Sequence, residues 1–74
     1  NCSEKCTTIR YVWEDTKVAQ VAAIIKRLAD QQKEEVRISI DKERETYILE
    51  LELCSVEISQ MSTGGVLVEV FCCC

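Results

Sequence analysis

An α+β fold is what three features of this sequence predict: one helix packed on a four-stranded, mostly antiparallel sheet, in the order β-α-β-β-β. A single stretch, 18–29, carries apolar residues at three- and four-residue steps and reads as the one amphipathic helix. Around it, four stretches alternate with a two-residue period, as half-buried strands do. Six cysteines in 74 residues complete the pattern. A domain of this size buries only about 60% of the surface its unfolded chain exposes, and disulfides are the usual supplement.

Residues 1–6 are polar and hold Cys2 and Cys6; they read as an N-terminal arm with no reason to order unless bridged. Residues 7–13 form the first strand, with Ile9, Tyr11 and Trp13 on its core side and Thr8, Arg10 and Val12 on the other. A helix follows over 15–33, with Asp15 or Thr16 placed to cap it by accepting a bond from a first-turn N–H. Val18, Val21, Ala22, Ile25, Leu28 and Ala29 make its apolar stripe, which Ile24 widens. The stripe is narrow and rich in alanine, suited to close packing on a sheet.

The second strand spans 36–41, with Val36, Ile38 and Ile40 inward. A charged four-residue loop, 42–45, turns it into the next strand. Setting Asp41 opposite Thr46 puts Ile40 against Tyr47, Ile38 against Leu49 and Val36 against Leu51, so every inward residue meets another. The third strand is read over 46–60. Its alternation slips by one residue at Leu53-Cys54. Fully extended it would span roughly 50 Å, too long for so small a domain, so a bulge or sharp bend is expected beside Cys54. The MSTGG segment at 61–65 is a turn whose glycines can supply positive φ, and 66–73 is the fourth strand. The first two strands, joined through the helix, are expected to run in the same direction. All of this fits one domain, 1–74.

Cys72, Cys73 and Cys74 are consecutive, and neighbours in a strand point to opposite faces, so pairing within the triplet is disfavoured. Each member then needs a partner among Cys2, Cys6 and Cys54, which reduces fifteen connectivities to six. With the turn at 61–65, Cys54 falls across from the triplet and Cys72 is the favoured partner, one register step from Cys74. The arm cysteines take the remaining two. A metal site would normally show CxxC pairs, and none is present. A prenylated or palmitoylated tail would follow a flexible linker instead of continuing a strand.

The formal net charge is −4, and the Lys26-Arg27 pair is the largest basic cluster, which excludes a phosphate-neutralising stripe and hence a nucleic-acid partner. No apolar run approaches the roughly 18 residues of a membrane span. Histidine is absent, which removes the commonest general base and metal ligand. The carboxylates of Glu14, Asp15, Glu34, Glu35, Asp41, Glu43 and Glu45 belong to turns and helix ends, and those of Glu50 and Glu52 point outward. No catalysis and no cofactor are expected. Asn1 opens the chain without a signal peptide, which reads as a mature product or a cloned domain. The cysteines imply an extracellular or otherwise oxidising compartment. Val12, Leu53, Leu67 and Phe71 are out of phase with the core and are the candidate protein-contact residues, on the face away from the helix. The alternative is that the arm folds over Leu67 and Phe71. A monomer is expected.

The stretch TKVAQVAAIIKRLADQQKEEVRISIDKERETYILELEL resembles de novo designed α/β miniproteins, with an Ala/Lys/Glu-rich helix, a short connection and regularly alternating strands. The resemblance is one of style over about half the chain. It implies an idealised, disulfide-stapled scaffold made as a binder or a test of folding. MSTGG, the Trp13-Glu14 junction and the cysteine triplet depart from that style. They point to the alternative, a natural secreted, cysteine-rich inhibitor, effector or receptor antagonist.

Overall fold

The computed structural model describes residues 6–73. Its elements in chain order are β1 (Cys6–Trp13), α1 (Val18–Gln31), β2 (Arg37–Asp41), β3 (Thr46–Glu50), β4 (Cys54–Gln60) and β5 (Val66–Cys73). The five strands make one sheet in the order β1-β5-β4-β3-β2, antiparallel at every step. The class is α+β, but the count differs from the sequence expectation: five strands replace four, and the order is β-α-β-β-β-β. β1 and β2 run the same way because four reversals separate them, and they form the two edges of the sheet.

The extra strand comes from the segment expected to bend. Residues 46–60 fold back on themselves as β3 and β4, with Leu49 opposite Val56 and Glu50 opposite Ser55. The Leu51 N–H donates to the Cys54 carbonyl at 2.8 Å, leaving Glu52 and Leu53 as a two-residue loop. That loop explains the slip in alternation without a bulge. Across a two-residue turn an odd-numbered residue faces an even-numbered one, so the inward set changes from Leu49 and Leu51 to Cys54, Val56 and Ile58. Neither Glu52 nor Leu53 takes a positive φ. The turn therefore needs no Gly or Asn, the residues that usually announce a tight hairpin.

The β2–β3 hairpin has the register that the apolar phase dictates, with Asp41 opposite Thr46, Ile40 opposite Tyr47 and Ile38 opposite Leu49. Its charged loop is organised by Asp41, whose Oδ1 accepts from the N–H groups of Glu43 at 3.1 Å and Arg44 at 3.3 Å. Such side-chain-to-backbone bonds let an aspartate start a turn where glycine and proline are missing. At the β4–β5 turn, Gly64 adopts φ 103° and its N–H donates to the Met61 carbonyl at 3.1 Å.

The helix is shorter at both ends than 15–33. Neither Asp15 nor Thr16 caps it. Lys17 occupies the N-cap position, and the Gln20 side-chain oxygen accepts from the Lys17 N–H and from the Thr16 hydroxyl, each at 3.2 Å. Asp15 is instead in the left-handed region, at φ 59°, where it turns the chain out of β1. At the other end Lys33 also takes a positive φ, 58°, while the N–H groups of Lys33 and Glu34 bond back to Asp30 and Ala29. This is the Schellman arrangement, with lysine where glycine is usual.

The core lies between one side of α1 and the middle of the sheet. Val18, Val21 and Ala22 pack with Leu49, Val56, Ile58, Val66 and Val68, and Ile25, Val36, Tyr47, Leu51 and Val70 surround them. Leu49, Ile58, Val21 and Val66 are fully buried. Each such side chain contributes about 1.5–3 kcal/mol by leaving water.

Candidate functional site

The covered region stops short of both sheet edges: on β2, Ile38 and Ile40, expected inward, are 40% and 54% exposed, and the longer bare stretch is on β1. Ile9, Tyr11 and Trp13 pair with Val70, Val68 and Val66 of β5 and so belong to the helix-side face, as their alternation indicates. They are not core residues, however, with 47%, 66% and 45% of their surface exposed. The cause is geometric. A helix is about 10 Å across and spans roughly two strand spacings of about 4.8 Å. Residues 14–17 carry the chain away from β1, and the first turn of α1 comes to rest beside Gln60 and Gly64, at the β4–β5 turn. From there the helix packs on β3 and β4.

One flank of α1 extends the bare region. Ala19 borders Ile40 of β2, and Lys26 and Asp30 border Arg37, so that flank looks toward the β2 edge. At 100° per residue, Ile24 and Leu28 fall on the opposite flank, toward β5 and β1. Both are exposed. Ile24 and Leu28 of the helix and Ile9, Tyr11 and Trp13 of β1 are thus exposed on the same side of the sheet, where Val70 of β5 is half-buried. Together these five large, about half-bare side chains leave on the order of 400 Å² of largely apolar surface in water on that side. Among the described residues β1 is an edge strand, with β5 on one side and no strand on the other.

The expected outer-face residues are not gathered into one patch. Val12 pairs with Leu67, and Leu67 with Ser59, in one row across the sheet; Thr8, Phe71 and Ser55 form another. Between them runs the row Arg10, Glu69 and Glu57. The Arg10 Nε donates to Glu69 Oε2 at 3.1 Å, so a charged band separates Val12 and Leu67 from Phe71. Leu53 is exposed in the β3–β4 loop. Val12 is exposed and Leu67 and Phe71 are half-buried.

Cys54 and Cys72 are bonded to one another across β4 and β5, in the pairing the hairpin favours, with their Cα atoms 4.3 Å apart. Cys2 and Cys74 lie outside the described residues, as does the arm over 1–5. Cys6 and Cys73 are the terminal positions of β1 and β5 and stand opposite each other in the ladder.

No polar or charged side chain is buried among the described residues, and none of their Cys, Asp and Glu side chains cluster as a metal site would. The surface recesses are shallow and lined mainly by charged and polar groups, as at Glu35, Arg37, Glu50, Leu51 and Glu52. Two of the candidate carboxylates have local structural uses. Asp41 holds a turn, and Glu34 Oε1 accepts from the Glu52 N–H at 3.1 Å, tying the end of the helix connection to the β3–β4 loop. Among the described residues no helix is long and apolar enough to cross a membrane.

No protein-family model matches this chain, and no curated protein or solved structure matches it.

Proposed function

We propose that the chain is a non-enzymatic, disulfide-stabilised binding module whose partner is a protein presenting an extended, alternately apolar segment to β1. The observation that carries this reading is the bare apolar side of β1, with Ile24 and Leu28 of α1 exposed on the same side of the sheet. An edge strand offers a row of backbone donors and acceptors, and a segment added there gains affinity from the ladder and specificity from alternate side-chain sites. Edges that avoid such pairing carry lysine, proline or bulges. β1 carries a single charge, Arg10, already engaged by Glu69. The outer-face residues Val12, Leu53, Leu67 and Phe71 are a weaker choice because the Arg10-Glu69-Glu57 row divides them.

The same surface serves either origin. It is the targetable face of an idealised scaffold, or the contact face of a natural secreted inhibitor, effector or receptor antagonist. The style of the helix and the β2–β3 hairpin favours the scaffold. The Cys54–Cys72 bond is compatible with an oxidising compartment.

A library of short peptides with alternate apolar positions, selected on the immobilised protein, tests the proposal. Enriched peptides should shift the emission of Trp13, the single tryptophan, and protect the β1 amides from exchange. They should also lose binding to Tyr11→Glu while that variant keeps its unfolding transition. Enrichment of peptides that bind Tyr11→Glu equally well, or no enrichment, rejects the proposed surface. Protection of β1 by concentration alone would make a second copy of the chain the occupant and reject the partner peptide.

A further inference from the structure

With Cys54 and Cys72 bonded, four of the six cysteines remain, and four can pair in three ways. The strand ladder distinguishes them. Position 6 on β1 is directly opposite position 73 on β5. Opposed residues in an antiparallel pair alternate between two kinds: hydrogen-bonded pairs with Cα atoms about 5.5 Å apart, and non-hydrogen-bonded pairs about 4.5 Å apart.

Cys54 and Cys72 are of the second kind. Their Cα separation is 4.3 Å, and the Cys54 carbonyl is occupied on the β3 side, by the Leu51 N–H. The backbone N–H and C=O of Cys72 therefore point away from β4 and toward β1. One residue on, those of position 73 point back toward β4. Positions 73 and 6 then also meet as a non-hydrogen-bonded pair, the closer of the two kinds. A Cα separation of about 4.5 Å lies within the range of about 4.4–6.8 Å that a disulfide spans.

We propose that Cys6 and Cys73 form a second cross-strand disulfide, which by count leaves Cys2 to pair with Cys74. The bond forms by exchange with a small-molecule disulfide such as oxidised glutathione. A thiolate at one cysteine displaces one thiol and gives a mixed disulfide; the other cysteine then displaces the second thiol. Two cysteine thiols are oxidised to one S–S bond and one external disulfide is reduced to two thiols. Consecutive positions of β5 thus fasten it to both neighbours, position 72 to β4 and position 73 to β1. The second bond fixes the strand that the helix does not cover.

Tryptic mapping of the unreduced protein, alkylated before digestion, reads this directly. Lys5 and Arg10 place Cys2 in peptide 1–5 and Cys6 in peptide 6–10, while Cys54, Cys72, Cys73 and Cys74 remain together in peptide 45–74, since no Lys or Arg follows Arg44. Both short peptides should be tethered to 45–74, with no thiol alkylated. Peptide 1–5 joined to 6–10, or alkylated cysteines at 6 or 73, overturns the proposal. Cys73→Ser should then place the label on 6–10, and Cys74→Ser should place it on 1–5; the reverse assignment overturns the pairing. Fragmentation of the tethered wild-type peptide between Cys73 and Cys74 gives the same assignment without substitution. Peptide 6–10 should stay with Cys73, and its retention by Cys74 rejects the pairing.

Discussion

On β3 and β4, Leu49 and Ile58 are fully buried beneath the helix, whereas on β1, Ile9, Tyr11 and Trp13 share that face and stay about half exposed. Both regions are alternating strands rich in β-branched, aromatic and aliphatic residues, and both are in phase with the core. What separates them is the width of a single helix and the place where residues 14–17 set it down. Phase therefore tells which face of the sheet a side chain occupies; cover is a separate property, decided by the layer above. The covered half supplies most of the stability, and the bare half supplies surface.

That contrast can be broken first at its buried side. Leu49→Ala and Ile58→Ala should each cost about 2–5 kcal/mol, because a large side chain is removed from a site with no access to solvent. Urea unfolding monitored by circular dichroism measures the loss. A cost below 1 kcal/mol would mean that the helix does not seal β3 and β4. Replacing both Cys54 and Cys72 by serine should cost about 3 kcal/mol, the value for closing a loop of this order. Their sequence separation is 18. The double variant's urea midpoint, compared with that of the intact protein, reports it.

Smaller effects sharpen the comparison. Tyr11→Ser should shift stability by no more than about 1 kcal/mol, since little of that side chain is withdrawn from water. A loss as large as that of Leu49→Ala would show that the β1 side is packed after all. Lys33→Gly should stabilise by about 1 kcal/mol, because a side chain held at positive φ strains the backbone and glycine does not. A lower melting temperature for that variant would contradict the helix ending described. Arg10→Ala should change stability by no more than about 0.5 kcal/mol, as exposed ion pairs do. Thermal melts at low and high salt would reveal a larger electrostatic role.

Much of this fold was legible from spacing. The β2–β3 register followed from requiring Ile38, Ile40, Tyr47 and Leu49 to share a face, and placing a turn at MSTGG favoured Cys54–Cys72 over Cys54–Cys74, which lies one register step away. The fifth strand was not legible as such, because two structures leave the same mark. A bulge inserts one residue, and a two-residue turn pairs odd with even positions, so each shifts the alternation by one. Glu52 and Leu53 carry no turn signature to separate the cases. The excess length of 46–60 was the better clue, since a chain that long must reverse to stay within a small domain. The helix start was misplaced because Asp15 and Thr16 are good caps by type. Gln20 reaching back to Lys17 served the purpose instead, and Asp15 was needed for the turn. The bare side of β1 had a signal too, an Ala-rich helix stripe too narrow for the sheet beneath it.

The bareness of β1 in the folded protein is tested most directly by acrylamide quenching of Trp13, at dilutions where sedimentation shows a monomer. As the single tryptophan, it reports from the end of β1 with no competing signal. With 45% of its surface exposed, it should be quenched at about half the rate found for the same chain unfolded in denaturant, with emission between the buried and fully hydrated limits. A blue-shifted Trp13 that acrylamide barely reaches in the monomer would contradict the account, because β1 would then be part of the core.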